Sequence, residues 1–91
     1  MIETNNLYYA SYLLTEGLSI NNVEKQYDEN YKNTVVFYFQ SENLESEKNL
    51  EKKYLSGIAT INIRQYLDNL VKVRDIMYNF MGTKKRMVNV K

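Results

Sequence analysis

The chain contains no cysteine and no histidine. Without cysteine it has neither a disulfide framework nor a thiolate metal site, so its stability must come from packing or from association with another chain. That absence fits a reducing compartment. The missing histidine removes the commonest general base and, together with cysteine, the two usual zinc ligands and the thiol nucleophile. Glycine is scarce, with three in the chain. Gly17, Gly57 and Gly82 stand singly, each after a stretch of helical pattern, so each reads as a helix stop and none belongs to a phosphate-cradling loop. No run approaches the roughly 18 to 20 consecutive apolar residues of a membrane span, and Met1-Ile2-Glu3-Thr4-Asn5 lacks the basic-then-apolar signature of a signal peptide. These absences lead us to expect a cytoplasmic protein with no cofactor, no bound metal and no membrane partner. They argue against most enzyme classes.

What is present suffices for one small domain. Ninety-one residues with 44% apolar and 13% aromatic content can build a single modest core. The net charge of +1 conceals an asymmetry. Residues 1 to 82 hold eight Lys and Arg against eleven Asp and Glu, whereas residues 83 to 91 hold Lys84, Lys85, Arg86 and Lys91 with no acid. A mildly acidic domain over 1–82 with a basic C-terminal tail over 83–91 is the expected organisation.

Periodicity supplies the elements. Leu7, Ala10 and Leu14 recur at helical spacing, with Tyr9 and Leu13 widening the stripe; Thr4 reads as the N-cap, and the helix spans about residues 5 to 16. A left-handed stop at Gly17 turns the chain into a strand at Leu18-Ser19-Ile20. The strand reaches Tyr27 only if a bulge near Asn21-Asn22 changes its parity. Asp28 to Asn33 is rich in turn formers and predicts a hairpin loop. The second strand, Thr34 to Gln40, is apolar on both faces, with Val35, Phe37 and Phe39 on one and Val36 and Tyr38 on the other. Such a strand is either covered twice, or covered once and left sticky.

Ser41 reads as the N-cap of a charged surface helix that ends near Gly57, with acids early and lysines late as the helix dipole prefers. Asn62 and Gln65 open a long helix over 63 to 80, where Tyr66, Leu70, Val73 and Met77 form the stripe and Ile63, Leu67, Ile76 and Phe80 flank it. Asp68 and Lys72 are spaced for a helical ion pair. The expected fold is α+β, in the order helix, antiparallel hairpin, helix, helix, with the helices packed on a small sheet. Two strands cannot stand alone, so they lean on the last helix or pair edge to edge with a second copy as a homodimer.

Three constellations carry candidate chemistry. Glu42, Glu45, Glu47 and Glu51 lie along a helix where solvated charge is the ordinary state, so a carboxylate site is not expected. The run Phe37-Tyr38-Phe39 resembles the stacking aromatics of RNA-binding sheets, but Thr34, Gln40 and Ser41 stand where such a motif has basic and glycine residues. Core positions for Phe37 and Phe39, with Tyr38 outside, are therefore expected. Tyr8, Tyr12, Tyr31 and Tyr38 are the candidate protein-binding residues, because tyrosine offers a large contact area at little rotamer entropy. Lys84, Lys85 and Arg86 are the candidate nucleic-acid-binding residues of an alternative reading, through phosphate contacts.

The stretches "NNLYYASYLLTEGLSI", "VVFYFQSENL" and "YLSGIATINIRQYLDNLVKVRDIMY" together resemble the DUF5659-type family of short proteins of unknown function. Leu7, Tyr9, Ala10, Leu13, Leu14 and Gly17 carry the first block, Phe37 and Phe39 the second, Tyr54 and Gly57 the third, and Tyr66, Leu70, Arg74 and Tyr78 the last. The resemblance covers about residues 5 to 78. Ser11 departs from a small apolar position, Ile63 stands where proline is usual, and the basic tail lies outside the pattern. The resemblance implies a phage or mobile-element origin, and with it a small protein that occupies a surface on a host protein, defence machinery such as a CRISPR system included. The expected function is thus non-enzymatic binding to a protein partner.

Overall fold

The computed structural model describes residues 1–27, 33–57 and 60–81. The elements run β1 (Ile2–Thr4), α1 (Leu7–Thr15), β2 (Ile20–Tyr27), β3 (Asn33–Phe39), α2 (Leu44–Ser56) and α3 (Ile63–Met81). This is an α+β fold with three helices on an antiparallel sheet of order β1-β3-β2. The sheet has one strand more than periodicity predicts. Ile2, Glu3 and Thr4 pair with Phe39, Tyr38 and Phe37, so β3 is the central strand and Phe37, Tyr38 and Phe39 have a neighbour on each side. No described helix is long and apolar enough to cross a membrane.

The extra strand moves the first helix start. Because Thr4 is engaged by β3, its hydroxyl accepts the Asn6 N–H at 3.0 Å, and Asn6 becomes the N-cap, accepting the amides of Tyr8 at 2.9 Å and Tyr9 at 3.1 Å. Asn43 displaces Ser41 in the same way as the N-cap of α2, accepting the Ser46 N–H at 2.8 Å. The stops fall where expected. Gly17 adopts φ +102°, Gly17 N–H donates to Leu14 O at 3.0 Å and Leu18 N–H to Leu13 O at 3.1 Å, the paired bonds of a Schellman motif. Gly57 ends α2 at φ +76°. Gly82 lies outside the described residues. Asn62 caps α3, accepting the Gln65 N–H at 2.9 Å.

The parity change in β2 is real. Ile20 faces Phe39 and Asn22 faces Tyr38, which leaves Asn21 as the extra, bulged residue. The bulge returns Val23 to the side of Phe37, so both strands present apolar residues to one face. On that face Ile2, Val35, Phe37 and Phe39 meet Ala10, Tyr12 and Leu13 of α1 and Val73 of α3. Helix α1 is the middle of this arrangement: Ala10, Ser11, Tyr12 and Leu13, one whole turn, are all buried. A helix apolar on every side must be enclosed on every side. Its packing partners are the sheet and α3, with α2 resting more loosely beside it and burying no residue fully.

Helix α3 keeps the expected stripe in Tyr66, Val73 and Met77, and departs from expectation in its flanks. Tyr66, Val73, Ile76 and Met77 turn to the core, but Ile63 and Leu67 stand in solvent. Among the described residues Asp68 and Lys72 form no ion pair within 4.0 Å; the one salt bridge there joins the Met1 ammonium to Glu47 at 2.6 Å. Two solvated side chains gain too little from such a pair to hold it.

Ser11, fully buried, donates its hydroxyl to Leu7 O at 2.7 Å, and Thr15 one turn later accepts the Asn69 amide at 3.0 Å, which places this side of α1 against α3. Ser11 is there because it is small. Ser11→Ala is expected to change stability by no more than about 1 kcal/mol, since donor and acceptor sit on one helix. Ser11→Leu is expected to cost about 1–3 kcal/mol by overpacking the helix contact. Thermal melts of the two variants check both values.

Candidate functional site

Of the tyrosines expected on a docking surface, one is sealed in the core. Tyr12 is 1% exposed and belongs to the core, which removes it from any docking surface. Its ring lies 5.8 Å from Tyr9 and 5.2 Å from Tyr54, and its hydroxyl donates to Leu50 O at 3.3 Å. Tyr8, four residues earlier, is 56% exposed at the free end of α1. Tyr31 lies outside the described residues, as do Lys84, Lys85 and Arg86. Tyr38 sits on the side of β3 opposite Phe37 and Phe39, half-buried, where it was expected.

Tyr9, Tyr12 and Tyr54 form a cluster that spacing alone does not reveal, because α1 and α2 are joined through the whole sheet. Tyr9 and Tyr54 meet edge to face at 4.8 Å, a geometry that puts ring hydrogens on a π face. Burial, reinforced by the Glu51 and Glu47 carboxylates, pushes the Tyr9 phenol up to about 12. Burial and the neighbouring Glu16 push the Tyr12 phenol up as well. Tyr66 is raised by burial, with Tyr54 and Tyr8 nearby. This cluster ties α2 to α1 and is a structural element.

The solvent side of the sheet is different. Register places Glu3, Tyr38 and Asn22 in one row across the three strands, with Glu24 and Val36 in the next. The Tyr38 hydroxyl donates to Glu24 Oε1 at 2.9 Å, a diagonal cross-strand pair, and receives the Gln26 amide at 3.4 Å. The hydrogen bond to the Glu24 carboxylate raises the Tyr38 phenol, and Glu3 adds to the effect. Beside the ring a shallow cleft of about 300 Å³ is lined by Glu3, Thr4, Asn5, Gln26 and Val36. Val36, 8% exposed, is its apolar floor. β1 pairs only with Phe37 to Phe39, so on that side Asn33–Val36 have no strand partner among the described residues. An aromatic ring braced by hydrogen bonds, an acidic rim and an open stretch of strand edge thus adjoin one another.

Further clefts flank α2. One of about 370 Å³ lies between β1 and α2, lined by Ile2, Tyr9, Leu44, Glu47, Lys48 and Glu51 among others. Another, about 760 Å³, lies between the turn at Gly17 and the start of α2. Glu47 is already engaged: the Met1 ammonium and the Ser41 hydroxyl both bond it and hold its carboxyl below the usual range. Among the described residues no three Asp or Glu side chains converge in a way that could hold a metal ion.

Sequence reasoning found Tyr38 but missed its brace. Glu24 can be placed diagonally from Tyr38 once the bulge at Asn21 is assigned. Glu3 cannot, because a three-residue strand has no period to read. No curated protein and no solved structure matches the chain. The family profile described as domain of unknown function DUF5659 matches residues 1–79, a span that includes β1 and stops short of the basic tail. With that span matched, the chain belongs to the DUF5659 family.

Proposed function

We propose that this protein is a non-enzymatic binding module, encoded by a phage or mobile element, that docks on a protein partner through the solvent face of its sheet. The observation that carries the reading is Tyr38, a large ring with no core role, held in one position by Glu24 and Gln26 next to an open strand edge. A fixed aromatic loses little entropy on binding, which is the property of interface hot spots. The acid rim of Glu3 and Glu24 selects a basic partner surface. An extended segment of that partner would continue the line of β1 along Asn33–Val36, in the manner of strand addition. Such contact would occupy a site on host defence machinery without any chemistry. The absence of histidine and cysteine supports the same view.

Tyr38→Ala is expected to leave the fold intact, because the ring lies outside the core, and to weaken partner binding about thirtyfold or more, as loss of a hot-spot tyrosine does. Titration calorimetry against a partner recovered from the host, alongside a thermal melt of the variant, checks both parts. Unchanged affinity would remove this face from the interface. The alternative, a nucleic-acid accessory protein acting through Lys84, Lys85 and Arg86, predicts retention on heparin or single-stranded DNA that is lost on deletion of residues 83–91.

A further inference from the structure

Helix α3 has a second apolar face. Ile63, Leu67 and Val71 recur every four residues, so they form one stripe beside the core-facing side, and they are 65%, 51% and 54% exposed. Arg64 and Asp75, both exposed, lie three turns apart on the same border of that stripe. Neither makes an ion pair within 4.0 Å among the described residues.

We propose that α3 pairs with α3 of a second copy of this chain, antiparallel, through the stripe of Ile63, Leu67 and Val71. When two identical helices run antiparallel about a two-fold axis, the same border of each meets its counterpart. Arg64 of one copy then lies against Asp75 of the other, and the reciprocal pair forms by symmetry. The axis that makes these pairs falls midway between residues 64 and 75, at the height of residues 69 and 70. The axis that interleaves Leu67 with Val71 of the second copy falls at residue 69. The two positions agree to within one residue, about 1.5 Å along the helix. One operation therefore covers the apolar stripe and neutralises its charged border. A parallel pair would instead set Arg64 level with Arg64 and Asp75 level with Asp75.

Arg74, also exposed, lies within the stripe and level with Arg64 of the second copy, so its guanidinium must turn out to water for the helices to close. The dimer uses neither edge of β3, both of which are at least partly taken by β1 and β2. It also leaves the Tyr38 face uncovered. Nineteen residues of helix extend about 28 Å, so the interface is at the small end of specific contacts and the dimer forms at micromolar concentrations and above.

Sedimentation velocity on the full chain from about 1 to about 500 µM, a range that brackets micromolar association, reads the mass directly. The expected result is a concentration-dependent doubling. Leu67→Asp is expected to be monomeric throughout with an unchanged circular dichroism spectrum, because Leu67 is exposed in the single chain. Arg64→Asp alone and Asp75→Arg alone should each weaken the dimer about tenfold, and the double exchange Arg64→Asp with Asp75→Arg should restore it. A wild-type chain that stays monomeric at every concentration overturns the proposal, as does a dimer indifferent to Leu67→Asp. Failure of the double exchange to rescue overturns the antiparallel register.

Discussion

Phe37→Ala is expected to destabilise the protein by about 3–5 kcal/mol, the range for deleting a buried phenylalanine ring. Phe37 is fully buried, and its backbone is paired on one side to Thr4 and on the other to Val23. A strand held on both sides cannot move inward to fill the space, so the full cavity penalty applies. For a chain of 91 residues the whole stability is on the order of 5–14 kcal/mol, which makes this one substitution a large fraction of it. Urea denaturation followed by far-UV circular dichroism gives the difference, and Phe37→Leu, which retains most of the volume, should lose much less. A loss below about 1 kcal/mol for the alanine variant would mean that the site collapses freely and that β3 is not the centre of the core.

The second large effect is unfolding in alkali. Tyr9, Tyr12 and Tyr66 all have phenols raised by burial, Tyr9 to about 12. A raised folded value means that the fold prefers the neutral phenol. The stability linked to these groups is therefore complete below the unfolded phenol value of about 10 and is lost as pH rises above it, for Tyr9 through about 12. Charging Tyr12, enclosed between α1 and α2, also breaks the bond its hydroxyl donates to Leu50 O. Tyr9, Tyr12 and Tyr66 should ionise together with a cooperative loss of helical signal once the pH passes about 10. Reversible ionisation of all three with the helical signal unchanged would contradict the buried cluster. Tyr12→Phe, which cannot ionise, should shift the transition to higher pH.

Local chemistry carried far in this chain. The bulge at Asn21 follows from the parity conflict between Ile20 and Val23, and the Schellman stop at Gly17 follows from a glycine placed after an apolar repeat. Asn62 caps α3 as its spacing with Gln65 predicts. Each of these depends on residues within one or two turns of each other. The strand Ile2–Thr4 depends on residues 33 to 37 positions away, and three residues show no alternation, so Thr4 is free to look like a helix cap. Once Thr4 is drawn into the sheet, Asn6 is the next side chain able to accept the first amides of α1.

The candidate surface divides along the same line. Tyr8 and Tyr12 occupy one stripe of α1 by spacing, yet one is exposed and the other sealed, because the tyrosine pair from α2 and α1 closes over the second turn and not the first. Ile63 and Leu67 read as flanks of a core stripe, and the packing of α3 on the core through Tyr66, Val73 and Met77 leaves them in water.

Composition, period and caps determined the α+β class, the helices and the strand that carries Phe37, since these preferences are expressed over a few neighbouring residues. Which tyrosine is buried, which helix face is bare and which strand lies in the middle were decided by the packing of elements distant in sequence. Burial is a property of what comes to lie on top of a residue, and one-dimensional pattern holds no record of that.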